Sequence, residues 1–106
     1  MGYDLHITRK EFWADQEGPQ ITLAEWNQRV EKDPELKVDV ENGARFFVFC
    51  HPEGARPLLW SDNGDIVCKN PDKLTLMKLL QIADGLSAMV QGDDGEIYSS
   101  PEDFAE

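Results

Sequence analysis

Asn63-Gly64, set between Leu58-Leu59-Trp60-Ser61 and Ile66-Val67-Cys68-Lys69, constrains the fold of this chain more than any other stretch. A two-residue type I′ turn needs positive φ at both central positions, and Asn-Gly tolerates that best. With these two residues as the loop, Asp62 faces Asp65, Ser61 faces Ile66, Trp60 faces Val67 and Leu59 faces Cys68. Alternation places Leu58, Trp60 and Val67 on one face, and Leu59, Ile66 and Cys68 on the other. Both faces are largely apolar, which predicts cover on both sides near the base of the hairpin. At its tip two carboxylates stand directly opposed, a repulsion of roughly a few tenths to 1 kcal/mol. Two readings of that tip stand side by side: Asp simply favours turn flanks, or the acidic tip beside Trp60 meets a cationic partner.

The segments around this hairpin read as short elements of both kinds. Tyr3 to Thr8 alternates strictly, with Tyr3, Leu5 and Ile7 on one face and polar residues, His6 among them, on a solvated face. Arg9 to Gln20 reads as a loop closed by Gly18-Pro19, in which Phe12 is expected to anchor the chain and the role of Trp13 stays open. Thr22 and Glu25 form a capping box, and Ile21 with Trp26 a hydrophobic staple, so a short amphipathic helix starts here and buries Trp26 and Val30. Asp33-Pro34 ends it, because the residue before proline is pushed out of the α region. Leu36 to Val40 alternates as a strand, and Glu41-Asn42-Gly43 is a turn. Phe46 to Cys50 is a continuous apolar run, expected to be central and covered on both faces.

Residues 51–57 form a turn-rich connection into the hairpin. Asn70-Pro71 then opens a second helix of about four turns, ending near Gly85 or Ser87. Its apolar stripe is Leu76, Leu79, Leu80 and Ala83, widened by Leu74, Met77 and Leu86. Ala88-Met89-Val90 begins another strand, Asp94-Gly95 signals a second hairpin before Glu96-Ile97-Tyr98, and Ser99-Ser100-Pro101 caps a last turn holding Phe104. The order β-α-β-β-β-β-α-β-β predicts one α+β domain over residues 1–106, with two main helices on an antiparallel or mixed sheet of six to seven strands. A chain of 106 residues is long enough to bury roughly two-thirds of its unfolded surface.

Charge narrows the choice of partner. There are 21 Asp and Glu against 10 Lys and Arg, a net charge of −11. No Lys or Arg follows Lys78, whereas Asp84, Asp93, Asp94, Glu96, Glu102, Asp103 and Glu106 do. Nucleic acid and anionic membranes need clustered cations and are poor partners; a basic protein surface is a good one. No apolar run nears the roughly 20 residues of a membrane span, and the N-terminus does not read as a signal peptide, so a cytoplasmic protein is expected. Cys50 and Cys68 then read as reduced core thiols.

No motif announces chemistry. Cys50 and His51 are strand neighbours that point to opposite faces, so they cannot form a nucleophile–base pair. No Gly-x-Ser-x-Gly, His-Glu-x-x-His or P-loop pattern occurs. Gly92-Asp93-Asp94-Gly95-Glu96 lacks the twelve-residue spacing of a calcium loop and reads as a turn. No metal, no cofactor and no enzyme activity are expected.

Met1 to Arg9, Phe12-Trp13-Ala14-Asp15, Ile21 to Trp26, Asp33-Pro34-Glu35, Lys69 to Asp72 and Val90 to Glu96 together resemble a group of small bacterial cytoplasmic proteins. The likeness covers most of the chain except residues 37–57. By size and charge such proteins resemble the immunity proteins of toxin/immunity systems (contact-dependent growth inhibition, type VI secretion, polymorphic toxins). That resemblance implies binding and neutralisation of a cognate toxin domain, often a basic nuclease, and it carries no residue-by-residue motif. The expected contact residues are the hairpin-tip acids Asp62, Asp65, Asp93, Asp94 and Glu96 and the loop acids Asp15 and Glu17, with Trp13 or Trp60 as aromatic hot spot. The alternative is a non-enzymatic intracellular binding or regulatory domain with another partner; gene context separates the two.

Overall fold

The computed structural model describes residues 4–38, 46–49, 58–69 and 73–100. The elements follow the expected order: β1 (Asp4–Thr8), α1 (Leu23–Glu31), β2 (Leu36–Val38), β3 (Phe46–Phe49), β4 (Leu58–Asp62), β5 (Asp65–Lys69), α2 (Lys73–Gly85), β6 (Met89–Gln91) and β7 (Ile97–Tyr98). The turn at 41–43, Cys50, the 51–57 connection, the Asn70-Pro71 helix start and the turn around Phe104 lie outside the described residues.

The Asn-Gly hairpin forms as its residues dictate. Asn63 has φ 52° and Gly64 φ 79°, and the register pairs Asp62 with Asp65, Trp60 with Val67 and Leu59 with Cys68. The turn also leans on another part of the chain: a Cβ on Gly64 would stand 2.6 Å from Gln20 Cγ, so glycine is required by space as well as by φ.

All seven strands join in one antiparallel sheet of order β2-β3-β4-β5-β1-β6-β7. The first strand in sequence is thus an interior strand, between β5 and β6. One face, carrying Leu36, Phe47, Phe49, Leu59, Ile66, Cys68, Leu5, Ile7 and Val90, shares a single core with both helices. From α1 it receives Trp26, edge-on to Phe47 at 5.1 Å, and Val30. From α2 it receives Leu76, Leu79, Ile82 and Ala83, with Leu86 just beyond.

The capping box at Thr22 is complete, with Glu25 N–H donating to Thr22 Oγ1 at 3.1 Å and Thr22 N–H to Glu25 Oε1 at 3.2 Å. On α2 the buried arc turns further than the stripe read from sequence. Ile82 is fully buried, whereas Met77 is 47% exposed. Lys78 is also buried, donating to Asp33 and to Glu35 Oε1 (2.6 Å) across to the end of α1. Arg29 reaches the same Asp33 at 2.8 Å. Burial pushes the Asp33 carboxyl up, but hydrogen bonds from Lys78, the Glu35 N–H and Arg29 together hold it below its ordinary value.

The second face departs from expectation at three places. Phe46 and Val48 of β3 are only half-buried while Phe47 and Phe49 are buried, so this strand is interior to the sheet but covered on one side. His6 is not solvated; it is 3% exposed. Phe12, the expected anchor, is 37% exposed, and Trp13 is the aromatic that docks. The reason is common to all three: the 9–20 loop crosses over β5, β1 and β6, and that crossing is a long-range event invisible to local periodicity. Among the described residues no helix is long and apolar enough to cross a membrane.

Candidate acidic groove

On the second face the strand registers line up one row of side chains: Phe46, Trp60, Val67, His6, Gln91 and Ile97. The 9–20 loop is tied down across the middle of that row. Buried Gln91 holds it with both ends of its amide, accepting from Trp13 N–H at 3.0 Å and donating to the Glu11 carbonyl at 3.0 Å. Arg9, at the loop's start, donates to the Leu86 and Gln20 carbonyls (2.9 and 3.0 Å) and grips Glu25 with two nitrogens (2.9 and 2.8 Å). The Arg9 hydrogen bond, with that of the Thr22 N–H behind it, lowers the Glu25 carboxyl to about 2.

Trp13 lies flat on His6, ring centroids 3.7 Å apart and planes 6° from parallel. Its indole N–H donates to the Asp93 carbonyl at 3.0 Å. The other side of Asp93 fixes His6: Oδ1 stands 2.9 Å from His6 Nε2, and Oδ2 accepts from Asp4 N–H at 3.2 Å. A carboxylate only accepts, so the proton of a neutral His6 sits on Nε2 and Nδ1 is left as an acceptor.

At the other end of the loop Lys10 is buried against the hairpin turn. Its ammonium donates to the carbonyls of Asp15 and Asn63, each at 2.9 Å, and stands 3.3 Å from Asp65 Oδ2. Asn63 Nδ2 adds a bond to the Asp15 carbonyl, and Ile21 N–H one to the Gly64 carbonyl. Asp65 is 1% exposed and is therefore no exposed tip acid. Burial pushes its carboxyl above the ordinary value, and hydrogen bonds from Thr8 and Lys10 with the Lys10 charge recover only part of that shift. The Asp62–Asp65 opposition anticipated at the tip is thus relieved from behind by Lys10.

Between loop and hairpin lies an open groove of about 470 Å³, lined by His6, Trp13, Ala14, Gln16, Asp62, Asn63, Asp65 and Val67. No Lys or Arg is among these residues, and no Ser, Thr, Cys or Tyr. Asp65 Oδ1 and His6 Nδ1 are both buried and, among the described residues, lack a hydrogen-bond partner; each such atom costs about 1–3 kcal/mol. The chemistry on offer is mainly acceptance of N–H donors; among the described lining residues no Ser, Thr, Cys or Tyr stands beside the His6–Asp93 pair. No group of three His, Cys, Asp or Glu among the described residues is arranged to hold a metal ion.

The structure brings part of the expected contact set together. Trp13, Asp62 and Asp65 line the groove. Asp93 reaches it with its carboxylate through His6, whereas Asp15 is joined to it only by its backbone carbonyl, which accepts from Asn63 and Lys10. Asp93 keeps 45% of its side chain exposed, though both its oxygens serve internal bonds. Asp94 and Glu96 are exposed in the β6–β7 turn, where Glu96 Oε1 accepts from the Asp94 N–H (3.1 Å). Glu17 is exposed on the loop, and Trp60, half-buried, lies one strand beyond Val67 in the shared row and tilted against Phe46. Sequence reasoning missed His6, Lys10 and Gln91. Only His6 carried a signal, since its place in the Trp60–Val67 row follows once β1 is known to pair with β5. Compared with protein-family models, with curated proteins and with solved structures, the chain shows no match in any of the three.

Proposed function

We propose that this protein is a non-catalytic binding module that neutralises a cognate toxin domain, as an immunity protein does, by presenting the acidic groove to a basic surface on that toxin. The observation that supports this most is a groove lined by Asp62, Asp65 and Trp13, with the Asp93 carboxylate on His6 beside it and no Lys or Arg among the described lining residues, in a chain of net charge −11. Carboxylates so placed attract a cationic partner over a distance set by the Debye length, about 8 Å at physiological salt, and speed its encounter. Trp13, braced on His6, supplies the rigid aromatic area that hot spots favour. Such a toxin uses its cations to bind phosphate, and covering them blocks substrate without any bond being broken here.

Co-expression tests the reading. The product of the adjacent gene, carrying a secreted toxin's architecture, is expected to kill cells alone and to spare them when this chain is co-produced. A product that is harmless alone, or lethal with or without this chain, sinks the proposal. Reversal of charge at Asp62 and Asp94 is expected to lower protection, and its effect on toxin binding is expected to shrink at raised salt, which screens the attraction in the parent protein too.

A further inference from the structure

We infer that the groove is a socket for a guanidinium group, so that the partner enters it with an arginine side chain. This rests on the reading of the groove as the partner-facing site, and it adds which chemical group makes the central contact. Two residues of the lining, His6 and Asp65, are more than nine-tenths buried, and each holds one acceptor with no hydrogen-bond partner among the described residues. In the neutral form of His6 the Asp93 contact at Nε2 leaves Nδ1 as an acceptor; the Asp65 carboxylate oxygen Oδ1 is one as well. A third acceptor, the Asp62 carboxylate, faces Asp65 across the hairpin and is exposed. Apart from the amides of Gln16 and Asn63, the polar groups of the lining are acceptors, and they favour a ligand rich in donors.

Guanidinium carries five N–H donors in a planar fork and no acceptor. It is also weakly hydrated and lies comfortably on aromatic and apolar surface, which Trp13 and Val67 provide. An ammonium brings three donors at one point and holds its water more strongly, so arginine is preferred over lysine. Both unpartnered atoms are sealed from water in the free protein, so the occupant reaches them only as the rim formed by Ala14 and Gln16 yields. Between these two residues the Asp15 carbonyl is held by polar bonds from Lys10 and Asn63.

The test uses the full chain and three probes: Nα-acetyl-arginine amide and its citrulline and lysine counterparts, titrated by ¹H–¹⁵N NMR. The arginine probe is expected to shift the Trp13 indole N–H and the Ala14 and Gln16 amides saturably, binding at least tenfold more tightly than either counterpart. Asp65→Asn and Asp62→Asn are each expected to weaken it at least fivefold; Asp62 is exposed, so that variant stays folded even if the other does not. Absence of saturable shifts, equal response to arginine and citrulline, or unchanged affinity in folded Asp62→Asn together with shifts remote from the groove overturns the socket. Arginine binding without protection from any toxin would keep the socket and remove the immunity reading. Protection undiminished in a variant that no longer binds the probe would do the reverse.

Discussion

The two faces of the sheet are closed by different means. On the helix face, Trp26, Phe47, Leu76 and Ile82 meet in continuous apolar contact, a non-directional attraction of about 25 cal/mol per Å² of buried apolar surface. On the other face, closure depends on a few polar side chains: Gln91 clamps the loop backbone, Lys10 plugs the hairpin turn, and His6 supports Trp13. Apolar packing tolerates sliding, whereas hydrogen bonds fix position and fail abruptly when one partner is lost. The first kind of closure suits a scaffold; the second leaves a groove with defined walls.

Substitutions can break this contrast or sharpen it. The largest loss is expected from Trp26→Ala, about 3–5 kcal/mol by chemical denaturation, with unfolding still two-state because the whole core shares that residue. Lys10→Met should come next, near 3 kcal/mol. It leaves the Asp65 carboxylate and the Asp15 and Asn63 carbonyls without their shared donor. If the second face is a local closure, hydrogen exchange in Lys10→Met will rise over residues 9–20 more than in the helices; uniform acceleration would show that the faces are not separable.

A pH comparison separates them by sign. Asp33, on the helix side, is held below its ordinary 3.8 in the fold, so its contribution is full above that value and is lost as pH falls through the lower folded one. Asp65 is raised above 3.8, so its contribution is full below that value and is lost as pH rises through the folded one. The deficit of Asp33→Asn in thermal unfolding is therefore expected to grow from about pH 3 to about pH 7, and that of Asp65→Asn to shrink. Parallel trends would refute the assignment of Asp65 as the destabilised carboxylate. The smallest effect on stability is expected at exposed Asp62: Asp62→Lys should change unfolding free energy by less than about 0.5 kcal/mol, while abolishing the attraction of a cationic partner measured by salt-dependent association.

The same contrast explains what could be read from the residues alone. Everything set by neighbours in sequence was legible: the Asn63-Gly64 turn and its register, the Thr22–Glu25 box, the burial of Trp26, and the order of all nine elements. Strand order was not, since the insertion of β1 between β5 and β6 is decided by pairing across most of the chain. From that one unknown the departures around His6 and Asp65 follow. Period-2 alternation marks His6 as facing away from the core, which is true; whether that side is wet depends on where residues 9–20 pass. Asp65 carries the same turn-flank signature as Asp62, and only the arrival of Lys10 from a distant loop makes one a buried partner and the other a surface charge.

The interior seat of β1 has a consequence for how the molecule comes into being. This strand leaves the ribosome before any other described element, yet its two neighbours, reached through Val67 and Gln91, are made late. Until they arrive it carries two open hydrogen-bonding edges, and closing them requires the slow pairing of remote segments. The nascent chain, rather than the finished domain, is thus the form most exposed to pairing with the wrong strand.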